Sequence, residues 1–215
     1  MMPSTTPAPP VTSFTGAFEA HLTVRADAVR LEAHAAAHGL KFTHIVLERG
    51  RTPSQPMLTL HRRGPLPAVR EAVEDAARAL QDAGFEVVRT KIEAAPWVEG
   101  VPDTDEEAAV LGPRYYFEHH IKLLIAPGAA LPRLAPAHTA HLSRNARRIR
   151  TDGRTERFVT QRCRLVGRRT AQARLLALTA DLGAHEIIST EQEFVIHDSD
   201  ESLDAGWITE ESARA

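Results

Sequence analysis

The chain has 215 residues, 43% of them hydrophobic and only 5% aromatic, with one cysteine and a formal charge of −2 at pH 7. That length suits a pair of domains of roughly 100 residues, each able to bury its own core. A lone Cys163 excludes an internal disulfide and fits a reducing, cytoplasmic setting, while no apolar run approaches the roughly 20 residues of a bilayer span.

In chain order, residues 1–15 read as a flexible leader, Pro/Thr-rich and without the basic and apolar regions of a signal peptide. Phe18, Ala20, Leu22 and Val24 alternate with Glu19, His21, Thr23 and Arg25, the pattern of a half-buried strand. Asp27 is a helix cap, the Ala-rich run to Ala37 a helix, and Gly39 its stop. Strands follow at Lys41–Glu48 and Met57–His61, separated by the Gly/Pro-rich loop Gly50–Pro56. Leu66, Val69, Val73, Ala76 and Leu80 keep helical spacing up to Gly84, and Phe85–Ala94 is a fourth strand. Residues 97–113 read as an acidic, Pro-containing linker. Beyond it come a strand at Tyr116–Ile125, a helix near Leu131–Ala140, strands at His141–Ile149 and Arg157–Leu165, a helix at Thr170–Leu182 and a strand at Glu186–His197. Residues 199–215 form an acidic tail that Trp207 can dock onto the body.

The two halves echo each other. Phe18-Glu19-Ala20-His21-Leu22-Thr23-Val24 returns as Phe117-Glu118-His119-His120-Ile121-Lys122-Leu123, Met57-Leu58-Thr59 aligns with Phe158-Val159-Thr160, and Glu93 answers Glu193. A fixed spacing of about one hundred residues indicates one structural unit built twice. The reading is therefore α+β: tandem duplicated ferredoxin-like βαββαβ units, residues 16–96 and 114–198, with antiparallel sheets and helices on one face. In that topology the spatial strand order is 4-1-3-2, and the apolar side of the first strand must meet the helices. The opposite, polar sides then gather His21 with Thr59, His61 and Lys91 or Glu93, and His120 with Thr160, Arg162 and Glu191 or Glu193. A bulge in either fourth strand would change which acids face inward.

Charge is unevenly spread. Between Arg144 and Arg169 there are ten arginines against Asp152 and Glu156, so this segment carries +8 and the remainder −10. Such a patch suggests a local anion site. Polar sheet faces almost free of aromatics argue against RNA recognition by base stacking.

His21-Leu22-Thr23-Val24 resembles the His-x-Thr/Ser-hydrophobic motif of the two-histidine phosphoesterases, themselves pseudo-symmetric duplications with one motif per half. The resemblance implies that His21 and His120 are the general base and acid on a phosphodiester, without a cofactor. It also implies that hydroxyl residues hold the phosphate oxygens; the polar faces as a whole are read as holding an anionic small molecule through Thr23, Lys122, Thr59, His61, Thr160 and Arg162, with Glu19 and Glu118 orienting the histidines. In the second half, His120-Ile121-Lys122-Leu123 carries lysine where the family has a hydroxyl residue; a lysine can serve a phosphate as a point charge.

Two other classes use the same residues. His21, Glu93, His120 and Glu193 resemble the paired-module metalloenzymes of the glyoxalase and extradiol dioxygenase kind, a donor set suited to Zn, Fe(II) or Mn. Those modules are β-α-β-β-β, which differs from the order here. A non-catalytic metabolite-binding or protein-interaction module would use the loops Arg49–Pro56 and Thr151–Thr155. His34 and His38, one helical turn apart, lack the glutamate of a zinc-protease motif and read as surface histidines, and Cys163 reads as packing.

Overall fold

The structure, a computed structural model, describes residues 13–126, 135–145 and 153–208. Among the described residues eight antiparallel strands form one sheet that closes on itself: β1 (Thr15–Arg25), β2 (Lys41–Leu47), β3 (Ser54–Pro65), β4 (Glu86–Ala94), β5 (Tyr116–Ile125), β6 (Ala140–Asn145), β7 (Thr155–Arg164) and β8 (Glu186–Asp198). Around the barrel the order is β1-β3-β2-β6-β7-β5-β8-β4.

The expected picture of separate sheets facing each other across a cleft is corrected by two joins. β2 pairs with β6 from Ile45↔Asn145 to Leu47↔Ser143, and β4 pairs with β8 from Lys91↔Asp198 to Ala94↔Phe194. Open edge strands would present rows of unpaired backbone groups; closing the sheet removes them. The polar sides of the strands thereby become the inner wall of a barrel.

Helices cover the outside. Leu31 and Ala35 of α1 (Ala28–Ala37) and Val69, Val73 and Leu80 of α2 (Leu66–Asp82) share one buried cluster with Phe18, Ala20, Leu22 and Val24 of β1. Burying a side chain such as Leu22 contributes about 1.5–3 kcal/mol, so β1 turns its apolar side outward to the helices and its polar side inward. Asp27 caps α1 as expected, accepting hydrogen bonds from the amides of Val29 and Arg30. Ala171 joins the same cluster from the last long helix, Arg168–Asp181, whose Leu175 and Leu178 pack on Ile121, Leu123 and Val159. Cys163 is fully buried on this outer side, and burial pushes its thiol up to about 11.

The segment read as a bare linker holds a helix, α3 (Asp105–Leu111). Thr104 and Glu107 form a reciprocal capping box there, so the Thr-x-x-Glu spacing nucleates a turn that an apolar periodicity does not announce. Gly167 fits against this junction because a Cβ would lie 2.4 Å from the Thr104 carbonyl carbon. Of the helix expected near 131–140, the described part is α4 (Ala135–His138), which makes Arg168–Asp181 α5; residues 131–134, and 146–149 of the sixth strand, lie outside the described residues. The leader to residue 12 and the tail beyond 208 also lie outside them. Among the described residues no helix is long and apolar enough to cross a membrane.

Candidate functional site

The barrel encloses a cavity of about 370 Å³, within the range of small-molecule sites. Strand alternation builds its wall. Glu19, His21 and Thr23 enter from β1; Arg89, Lys91 and Glu93 from β4; Glu118, His120 and Lys122 from β5; Glu191 and Glu193 from β8. Lys91 and Glu93 both face inward because they stand two apart on a strand that pairs β1 without a break between them, and Glu191 and Glu193 do the same on β8; the β4–β8 register shift skips Ile196 and leaves these acids in place.

The two histidines sit in matching settings. His21 Nδ1 lies 3.0 Å from Thr59 Oγ1, and His120 Nδ1 lies 3.1 Å from Thr160 Oγ1. His21 Nε2 is 2.9 Å from Glu93 and 3.7 Å from Glu19; His120 Nε2 is 3.4 Å from Glu193 and 3.7 Å from Glu118. Each ring is thus fixed by a hydroxyl on one nitrogen and offered to carboxylates on the other. Lys91 joins the two settings, ion-paired to Glu93 and 2.8 Å from Glu118.

Burial sharpens the electrostatics. It opposes ionisation of Glu93, but Lys91 and His21 outweigh it and hold the carboxyl well below its usual range. Burial likewise works against Glu118, which Arg162, Lys91 and His120 keep ionised. Lys91 is held protonated by Glu118 and Glu93 in spite of its own desolvation. Burial alone would depress His120; the hydrogen bond that it donates to Glu193 and the charges of Glu118 and Glu193 raise it to about 9. Glu193 is raised, first by burial and then by the nearby Glu93 charge. At neutral pH His120 is therefore an imidazolium facing the ionised Glu118.

Eleven of the twelve residues expected at the site line this cavity: His21, His120, Thr23, Lys122, Thr59, Thr160, Arg162, Glu19, Glu118, Glu93 and Glu193. His61 does not; its side chain is 65% exposed and reaches Glu19 only at 3.5 Å. Lys122 and Arg162, expected as anion binders, already hold acids: Lys122 is 2.7 Å from Glu156, and Arg162 is 3.2 Å from Glu118. His34 and His38 stack on each other on α1, outside the barrel. Thr151 and Asp152 of the second candidate loop lie outside the described residues.

Sequence reasoning missed the floor of the cavity. The chain after β8 makes a 3₁₀ turn, Glu201–Asp204, and caps one end of the barrel. Asp204 is 2.6 Å from Arg162 and 3.0 Å from Arg89, and its Oδ1 accepts a hydrogen bond from Gln55 Nε2 at 3.1 Å. Trp207 is buried beside it and donates from Nε1 to the Leu142 carbonyl at 2.8 Å. Arg51 N–H donates to the Ala205 carbonyl at 3.0 Å, so the Arg49–Pro56 loop serves as a seat for the tail. The inward run Arg89, Lys91, Glu93 was legible from its spacing of two; Asp204 carried no local signal.

No protein-family model matches the sequence, and no curated protein is significantly similar to it. The site is therefore interpreted from its own geometry.

Proposed function

We propose that the chain is a tandem pair of ferredoxin-like units joined edge to edge, and that the barrel interior is the active site of an enzyme acting on a small anionic substrate. In this reading it is a hydrolase of the two-histidine phosphodiesterase kind, working in the cytoplasm. The observation that carries it is the matched pair of histidines, each fixed at Nδ1 by a threonine and turned at Nε2 toward one shared cavity. Support for the duplication comes from the positions involved: His21 and His120, Thr59 and Thr160, and Glu93 and Glu193 are the same residues that align in the sequence.

The chemistry follows from protonation. His120, an imidazolium at neutral pH, is the general acid. A phosphodiester entering between the rings and their carboxylates places water near His21. His21 takes the proton as the water oxygen bonds to phosphorus; the bond from phosphorus to the leaving oxygen breaks, and His120 supplies that oxygen with its proton. Thr59 and Thr160 hold the rings, and Glu19 and Glu118 flank them at 3.7 Å. Lys91 lies between the halves to meet phosphoryl charge.

The test is hydrolysis of 2′,3′-cyclic nucleotides by the purified full chain, followed by phosphorus NMR. Turnover should fall by about 10²–10⁴ in His21→Ala and in His120→Ala. Hydrolysis that survives both substitutions, or none by the wild type, overturns the reading.

A second reading rests on one observation: Glu93, Glu118 and His120 each place a ligand atom within 4.8 Å of the others. Oxygen and imidazole donors of this kind suit Zn, Fe(II) or Mn. Lys91 already supplies positive charge between Glu93 and Glu118, so an ion would have to displace an ammonium held by both. Metal analysis of untagged protein decides it. Stoichiometric metal that disappears in Glu118→Gln would replace the first reading with this one.

A further inference from the structure

At the capped end of the barrel, two guanidinium groups converge on one carboxylate. Arg89 and Arg162 are almost wholly buried, and both address Asp204 Oδ2, at 3.0 and 2.6 Å. Each arginine also has an acid of its own: Arg89 pairs with Asp198 through two hydrogen bonds of 2.8 and 2.5 Å, and Arg162 pairs with Glu118. Asp204 is thus the shared third acid. Unlike the other two, it comes from outside the barrel wall, on a turn anchored by Trp207 and Ala205. All three groups border the same cavity as the histidines. Convergent guanidinium forks are the arrangement that suits oxygens of phosphate and carboxylate.

We propose that Arg89 and Arg162 form an oxyanion-binding site at the floor of the barrel, and that Asp204 occupies it as an internal stand-in for the anionic group of a ligand. This rests on the reading of the interior as an anion site and adds where the anion binds and what guards it. The tail competes with an incoming phosphate or carboxylate, and tethering gives its single aspartate a high effective concentration. The affinity measured for a free anion is then reduced by the fraction of time that the site is closed. Binding at the floor lifts the turn and frees Trp207 from its buried seat.

Trp207 reports on this directly. Trp97 is 78% exposed and borders no part of the cavity, so Trp97→Phe leaves Trp207 as the sole indole. Titrating that protein with inorganic phosphate, and separately with succinate, should give a saturable red shift of emission. A response to phosphate alone assigns a phosphoryl ligand, a response to succinate alone assigns a carboxylate, and no response to either overturns the proposal. Asp204→Asn should bind the effective anion about tenfold more tightly, because the internal competitor is gone. An unchanged affinity overturns the proposal. Should Asp204→Asn fail to fold, calorimetry on Trp207→Ala, which loosens the tail without touching either arginine, must show tighter phosphate or succinate binding; unchanged affinity again overturns it. Cyclic-nucleotide hydrolysis that depends on both histidines, with anion affinity indifferent to Asp204, would sink this inference alone. The converse pattern would sink only the catalytic reading.

Discussion

The two histidine settings share a plan and differ in what surrounds it. Around His21, Glu19 is partly open to solvent and spreads its contacts over Lys41 at 3.3 Å, His61 at 3.5 Å and His21 itself. Around His120, the equivalent Glu118 is buried and gripped by Lys91 and Arg162. The rings themselves are exposed to a similar degree, 20% for His21 and 26% for His120. Similar register and ring contacts therefore leave Glu19 and Glu118 in different surroundings, because solvent access and neighbouring cations differ between the two halves.

The largest expected effect tests the bridge between the settings. Lys91→Met leaves Glu93 and Glu118 buried without their shared ammonium, and breaking a buried pair in this way costs about 3–5 kcal/mol. Lys41→Met removes the cation paired with Glu19, a lysine 58% exposed, and should cost at most about 1 kcal/mol. Urea denaturation of both variants at pH 7 measures the gap. It should narrow as pH falls and the two stranded carboxylates take up protons. Equal losses at pH 7 would mean that the buried and the exposed carboxylates share one electrostatic environment.

A smaller effect follows the proton on His120. The folded-state pKa of His120, about 9, lies above the value near 6.5 of an unfolded histidine, so the folded protein holds this proton more tightly. The stabilisation is complete below about pH 6.5 and is lost as pH rises through about 9. Its size is about 2–3 kcal/mol, the shift being discounted because a quarter of the side chain meets solvent. Urea midpoints should decline across that window in the wild type and stay flatter in His120→Gln. A slope that survives in His120→Gln would assign the proton elsewhere.

Much of the barrel wall was legible because strands impose a period of two. Once Phe18, Leu22 and Val24 were assigned to the helix-covered side, Glu19, His21 and Thr23 had to share the other. The same rule brought Thr59 and Thr160 opposite the histidines. Closure was not legible, because pairing of β2 with β6 and of β4 with β8 depends on backbone groups that carry no residue signature. His61 obeyed the alternation yet ended exposed, since β2 pairs with β3 only as far as Thr59 and so leaves His61 with a neighbouring strand on one side alone. Asp204 was hidden for another reason. Its role depends on contacts with Arg89 and Arg162, more than one hundred and about forty residues away respectively, and an acidic tail looks the same whether it is solvated or docked. Trp207 was the one local hint, a large apolar side chain in an otherwise acidic stretch.

The smallest effect asks whether the shared plan is truly shared. Thr59 and Thr160 are both buried, and each holds its histidine at Nδ1 over nearly the same distance. Valine keeps the β-branched shape and removes the hydroxyl, leaving Nδ1 without its partner. Thr59→Val and Thr160→Val should each cost about 1 kcal/mol, the usual net worth of one hydrogen bond, and the two losses should agree within about 0.5 kcal/mol. Agreement in stability with a larger loss of turnover in one variant would show that the rings are held alike but used differently. A clear difference in stability would place the asymmetry already in the threonine contacts, and the surrounding charges would no longer be needed to explain it.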